Sequence, residues 1–178
     1  AKKRSCLRSI QSMLSNKTRL EKHYLAVVHG KWPRRKQHVD APLVKNTLKS
    51  GERVSSVSSE GKSALTKISV LEQSADYSLL AMQPVTGRTH QLRVHCQHTG
   101  YPIVGDEKYG YEEQDAQLKR LGVRRLMLHA SRLVIPATEP GEKTIRVEAP
   151  AGNSFQKMTE MIKDHNLIWH QHHQICKV

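Results

Sequence analysis

The chain has 178 residues, enough for one hydrophobic core but hardly for two, so a single domain is expected. Its 29 Lys and Arg against 16 Asp and Glu give a formal charge of +13; with no long apolar run, nucleic acid is favoured over a membrane as the partner. One Phe, two Trp and five Tyr are too few rings for a broad base-stacking platform, and three scattered cysteines without a C-x-x-C pair argue against a disulfide scaffold and for a reducing compartment such as the cytoplasm.

Ala1 to Ser15 places Leu7, Ile10, Met13 and Leu14 on one side and Lys2, Lys3, Arg4 and Arg8 elsewhere, the pattern of an amphipathic helix. Glu21 to His29 alternates as a strand does, with Tyr24, Ala26 and Val28 on one face and Leu25, Val27 and His29 on the other. Taken alone, Tyr24 reads as a core or cross-strand tyrosine. Gly30 to Pro33 breaks the strand, and Arg34, Arg35, Lys36 and His38 form a basic run that either steers RNA or is simply solvated. Val39 to Val44 is a short edge segment interrupted by Pro42, and Glu52 to Ser58, Ser63 to Glu72 and Tyr77 to Pro84 are further strands.

The chain is organised around Val85 to His95, where the last of these strands passes through a turn at Gly87 into a short helix ended by Gly100. Thr89 is the expected N-cap. Arg88, His90 and Arg93 then crowd the positive end of the helix dipole, where each cation loses roughly 0.3–1 kcal/mol unless something negative compensates. A carboxylate or phosphate is expected beside them; the alternative is an exposed basic helix end. His90, Arg93 and Gln97 share a polar face, whereas His90 and His95 lie about 140° apart and cannot chelate a metal together. His95 is expected to order the motif by hydrogen bonding.

Beyond Gly100, Asp106 in a Gly-Asp turn reads as a local backbone acceptor, with a nucleophilic role as the alternative. Glu112 to Leu121 is a short helix, Arg124 to Ile135 and Thr144 to Glu148 a hairpin, and Pro150 to Asn166 a closing helix capped by Asn153 and Gln156, with Phe155, Met158, Met161 and Ile162 as its apolar stripe. Residues 167–178 carry His170, His172, His173 and Cys176 without a zinc spacing, and a mobile tail is expected.

The string Gly87-Arg88-Thr89-His90-Gln91-Leu92-Arg93-Val94-His95, followed by Gly100-Tyr101-Pro102-Ile103-Val104-Gly105-Asp106-Glu107-Lys108-Tyr109-Gly110, resembles the signature of RluA-type RNA pseudouridine synthases. Lys22 to Gly30 resembles the family's tyrosine strand, Leu126 to Ala130 its late strand, and Ala41 to Lys62 the branch acting on large-subunit ribosomal RNA, the synthase C branch. The resemblance implies an α+β fold with a largely antiparallel mixed sheet, an RNA-binding cleft and flanking helices, occupying residues 1–166. It implies an isomerase that flips a uridine out and rejoins its base through C5, with no metal, no cofactor and no obligate protein partner.

The same resemblance makes Arg93 the partner of the nucleophilic aspartate and Tyr24 the residue that meets the target base. It gives Arg88 and His90 a part in shaping the motif or touching phosphate, and places Leu126 or Leu128 at the uracil pocket. The family's His-Arg-Leu-Asp motif has no match here, because the chain opens at Ala1-Lys2-Lys3-Arg4, just past its expected position. The fragment alone is therefore expected to be inactive, with the nucleophile and an RNA-binding domain upstream. Two other classes compete: a non-catalytic RNA-binding or ribosome-associated module, and a metal-dependent hydrolase that lacks a convincing ligand set.

Overall fold

A computed structural model describes residues 4, 7, 8, 12, 20–47, 51–120, 122–137 and 143–175, the side chains of 165–175 excepted. Most of the amphipathic helix expected over 1–15 lies outside the described residues. Eight strands, β1 (Glu21–His29), β2 (His38–Asp40), β3 (Leu43–Thr47), β4 (Arg53–Val57), β5 (Leu65–Gln73), β6 (Tyr77–Pro84), β7 (Leu128–Ile135) and β8 (Ile145–Glu148), combine with three helices, α1 (Gln91–His98), α2 (Glu112–Arg120) and α3 (Asn153–Ile175).

The main sheet has the order β2-β5-β6-β1-β7-β8, and β3 and β4 form a separate hairpin. Every strand pairing among the described residues is antiparallel. Pro42, without an N–H to give a ladder, falls where the chain leaves one sheet for the other. The segment expected as a single edge strand is thus two short strands in different sheets.

Register decides which residues share a face. Tyr24 stands opposite Met82 on β6 and Ala130 on β7, and Met82 stands opposite Ile68 on β5, so these side chains emerge together. Helix α1 packs on that face, with the Cys96 sulfur 4.0 Å from that of Met82. Leu25 and its neighbour His129 point the other way, and there the ring of Phe155 from α3 lies 5.9 Å from the His129 imidazole.

Phe155, Met158 and Ile162, spaced along one side of α3, are buried in the same cluster as Val27, Leu80, Ile103 and Met127. Full burial of each such side chain contributes roughly 1.5–3 kcal/mol, so α3 makes up a large part of the core, to which α1 adds Leu92 and Cys96 from the opposite face. Helix α3 begins at Asn153, yet Phe155 and Gln156 donate to the Gly152 carbonyl, and no Asn153 capping box forms.

Residues 102–104 run alongside the end of β1: His29 N–H donates to the Pro102 carbonyl, Val104 N–H to Val27, and Met127 N–H to Val104. Residues 124–127, expected to begin a strand, instead serve this inner segment, and β7 starts only at Leu128. Gly105 follows with φ +72°, and a Cβ there would collide with the Arg125 carbonyl, so the turn that delivers Asp106 requires glycine.

Candidate active site

Helix α1 starts one residue later than the sequence suggests. The cap is His90 rather than Thr89, at φ 53° and ψ 21°, the one non-glycine with positive φ among the described residues. Histidine tolerates this left-handed region better than most residues but does not favour it, so something must hold it there. The holding contact is 2.9 Å between His90 Nδ1 and the Tyr109 hydroxyl.

Gln91 supplies the rest of the turn. Its Oε1 accepts from the Thr86 hydroxyl (2.7 Å) and from Arg88 N–H (3.0 Å), while its Nε2 donates to the Leu65 carbonyl and the Thr66 hydroxyl, both at 3.0 Å. Through this buried amide the motif is fastened to β5. The chain continues inward: the Thr66 hydroxyl donates to His95 Nδ1 (2.9 Å), and His95 Nε2 donates to the Ala41 carbonyl (3.0 Å). His95 orders the motif by hydrogen bonding, as expected.

In the neutral His95 ring this network selects the tautomer protonated at Nε2. Burial is the largest cause lowering its pKa, only partly offset by the Ala41 carbonyl, and burial likewise lowers His90, helped by Arg93 and Lys108. With folded values below the unfolded one of about 6.5, the unfolded chain binds more protons in mild acid. Stability should therefore be complete above about pH 6.5 and decline as the pH falls below it. Urea midpoints at neutral and mildly acidic pH test this: the His95→Gln variant should lose less on acidification than the native chain, and an equal loss would clear His95 of the effect.

Arg93 has found its carboxylate. Its Nε and Nη2 donate to Asp106 Oδ2 and Oδ1 at 2.7 and 2.6 Å, with the Asp106 side chain fully buried and that of Arg93 only 16% exposed. The hydrogen bond to Asp106 is the main cause raising the Arg93 pKa. Asp106 Oδ1 also accepts from Lys108 and Tyr109 N–H, so the local backbone role expected of it is present together with the ion pair. The Tyr109 ring lies 4.9 Å from the Arg93 guanidinium carbon, and its hydroxyl accepts from Ser55 N–H on β4 (2.9 Å). One buried tyrosine thereby ties the hairpin, the His90 cap and Arg93 together.

Tyr24, Arg88, His90, Arg93 and Leu128 line a single cleft of about 250 Å³, with Lys22 and Gln91 also in its wall. Leu126 does not reach it and packs against the main core. Lys22 shares the parity of Tyr24 on β1 yet was not singled out by the sequence; the role of Tyr109 and the hold of Gln91 on Leu65 and Thr66 rest on contacts distant in sequence. No Asp or Glu among the described residues lines the cleft, and its charged wall of Lys22, Arg88 and Arg93 suits an anion.

The profile of the RNA pseudouridylate synthase family matches residues 1–98. Ribosomal large subunit pseudouridine synthase C of Yersinia pestis is 47% identical over 156 residues, covering 88% of this chain and 48% of that protein. Its counterpart in Salmonella typhimurium is 45% identical over 167 residues, covering 92% and 51%. The chain thus spans about half the length of these relatives. The solved human RNA Pseudouridylate Synthase Domain Containing 4 shares the fold at a TM-score of 0.68 and 24% identity, over 90% of this chain and 69% of that one. On its sequence match and its architecture, the chain belongs to the RNA pseudouridylate synthase family.

Proposed function

We propose that this chain forms the base-binding part of a synthase that isomerises uridine to pseudouridine in large-subunit ribosomal RNA. The observation that carries the reading is the convergence of Tyr24, Arg88, His90, Arg93 and Leu128 on one cleft. At about 250 Å³ it falls below the roughly 300–1,000 Å³ of sites for drug-sized ligands, a size suited to one extruded base. The relatives named above carry ribosomal large-subunit synthase activity in their names and supply the substrate class.

In this reading the target uridine is flipped out at a cost of a few kcal/mol, offset by contacts to phosphate and base. Its base lies against Tyr24, where stacking contributes roughly 1–3 kcal/mol. A carboxylate held by Arg93 attacks ribose C1′ as its bond to N1 breaks, and the base turns. C5 then bonds to C1′ and displaces the carboxylate, and the proton lost from C5 is balanced by one gained at N1. In this reading Tyr24 assists removal of the C5 proton, and the nucleophilic Asp is supplied from upstream of Ala1, as the sequence resemblance implies. No metal or organic cofactor takes part.

The test is tritium release from C5-labelled uridine in unmodified large-subunit ribosomal RNA, comparing the 178-residue chain with one extended upstream through the Asp motif. Release by the extended protein only is the expected result. Release by neither would favour a non-catalytic RNA-binding role, and release by the short chain would return Asp106 to consideration as the nucleophile.

A further inference from the structure

A second groove, of about 480 Å³, opens beside the cleft and shares Gly87 and Arg88 with it. Its walls come from the β3–β4 hairpin and from residues 60–62, and they carry Lys45, Lys62 and Arg88 against the single carboxylate of Glu60. Lys45 and Lys62 are exposed. The groove is therefore a net cationic extension of the cleft, reached without leaving the motif.

Its walls are fixed. Leu43 and Lys62 exchange backbone hydrogen bonds of 2.8 and 2.9 Å, so Lys62 is anchored to β3 two residues from Lys45. Gly61 lies so close to Leu43 that a Cβ would sit 2.5 Å from its carbonyl carbon, and no side chain fits there. On the motif side, Arg88 Nε donates to the Ser63 carbonyl at 3.0 Å, which holds the guanidinium at the junction of the two spaces. The hairpin itself is tied to the motif by the hydrogen bond from Ser55 N–H to Tyr109.

Resting on the function proposed above, we infer that this groove seats the RNA strand next to the flipped nucleotide, with Lys45 and Lys62 on its phosphates and Arg88 at the point where the strand enters the cleft. An enzyme that extrudes one base chooses its site partly through the flanking nucleotides, and phosphate contacts set the register in which they are presented. A rigid, cationic channel continuous with the base pocket meets both needs. The β3–β4 hairpin, which contributes nothing to the main sheet, thereby acquires a purpose.

The test replaces Lys45 and Lys62 together by Gln and measures affinity of the chain for an unmodified large-subunit ribosomal RNA transcript across salt concentrations. A matched pair on other surfaces, Lys143→Gln with Lys163→Gln, controls for overall charge. Two lost phosphate contacts should weaken binding about tenfold at low salt and flatten the log–log salt slope by about 1.4, at roughly 0.7 per phosphate on a single strand, with the control pair showing neither change. In the upstream-extended protein the same double variant should raise KM far more than it lowers kcat.

An unchanged slope, or an equal change in the control pair, would overturn the groove assignment. Failure of the proposed reaction would show separately, as absence of tritium release by the extended native protein. The salt slopes judge the groove in either case.

Discussion

Replacing Asp106 by Ala is expected to cost about 3 kcal/mol or slightly more, the lower end of the 3–5 kcal/mol that follows loss of one partner from a buried ion pair. The lower end applies because the Arg93 side chain keeps 16% exposure and can recover some hydration. Two further donors, Lys108 and Tyr109 N–H, lose their acceptor at the same time. For a domain stable by about 5–15 kcal/mol, that is a large share of the total. Urea unfolding measures it.

Asp106→Asn separates the two roles of the side chain. Its remaining carbonyl oxygen still accepts from the turn while the charge facing Arg93 is gone, so Asn should cost less than Ala. If Asp106 acts chiefly through Arg93, the double variant with Arg93→Met should cost well under the sum of the single changes. A cost below about 1 kcal/mol for Ala would mean the turn closes unaided, the value of an ordinary hydrogen bond.

How much of this was legible beforehand varies with the range of the interactions. Strand-type runs located β1, β4, β5 and β6 to within two residues at each end, with period-two alternation clearest in β1. Charge logic pointed to an anion near Arg88, His90 and Arg93, with an exposed basic helix end as the alternative, since cations at a helix N-terminus are unfavourable unless compensated. It could not name Asp106, because a turn aspartate is satisfied by its own backbone and gives no sign of a second partner thirteen residues away.

The misplaced cap has a similar origin. Thr89 is the better capping residue by type, but the Gln91 amide bridges Thr86, Arg88, Leu65 and Thr66 and leaves the cap to His90. Leu126 and Leu128 share parity only if the strand is continuous through both. Because Met127 bonds to Val104, the strand starts at Leu128, and only Leu128 faces the cleft.

In the upstream-extended protein, Arg93→Ala should lower the rate of tritium release by about 10²–10³-fold, the scale for loss of one preorganised electrostatic contact, with RNA affinity falling far less. In the proposed reading one arginine serves two carboxylates, and its geometry leaves room for the second. Asp106 takes the side of the guanidinium formed by Nε and Nη2, leaving Nη1 and the second Nη2 hydrogen for a carboxylate entering the cleft that Arg93 lines. Arg93→Lys retains the charge but has no planar fork, so it should fall nearly as far as Ala. Tyr24→Phe provides the complementary readout: it keeps the stacking ring, so affinity should hold, while release falls if the hydroxyl helps remove the C5 proton. Since Arg93→Ala also strands a buried Asp106, the rate must be read where circular dichroism shows the variant folded. Near-native release from such a folded protein would refute the role assigned to Arg93.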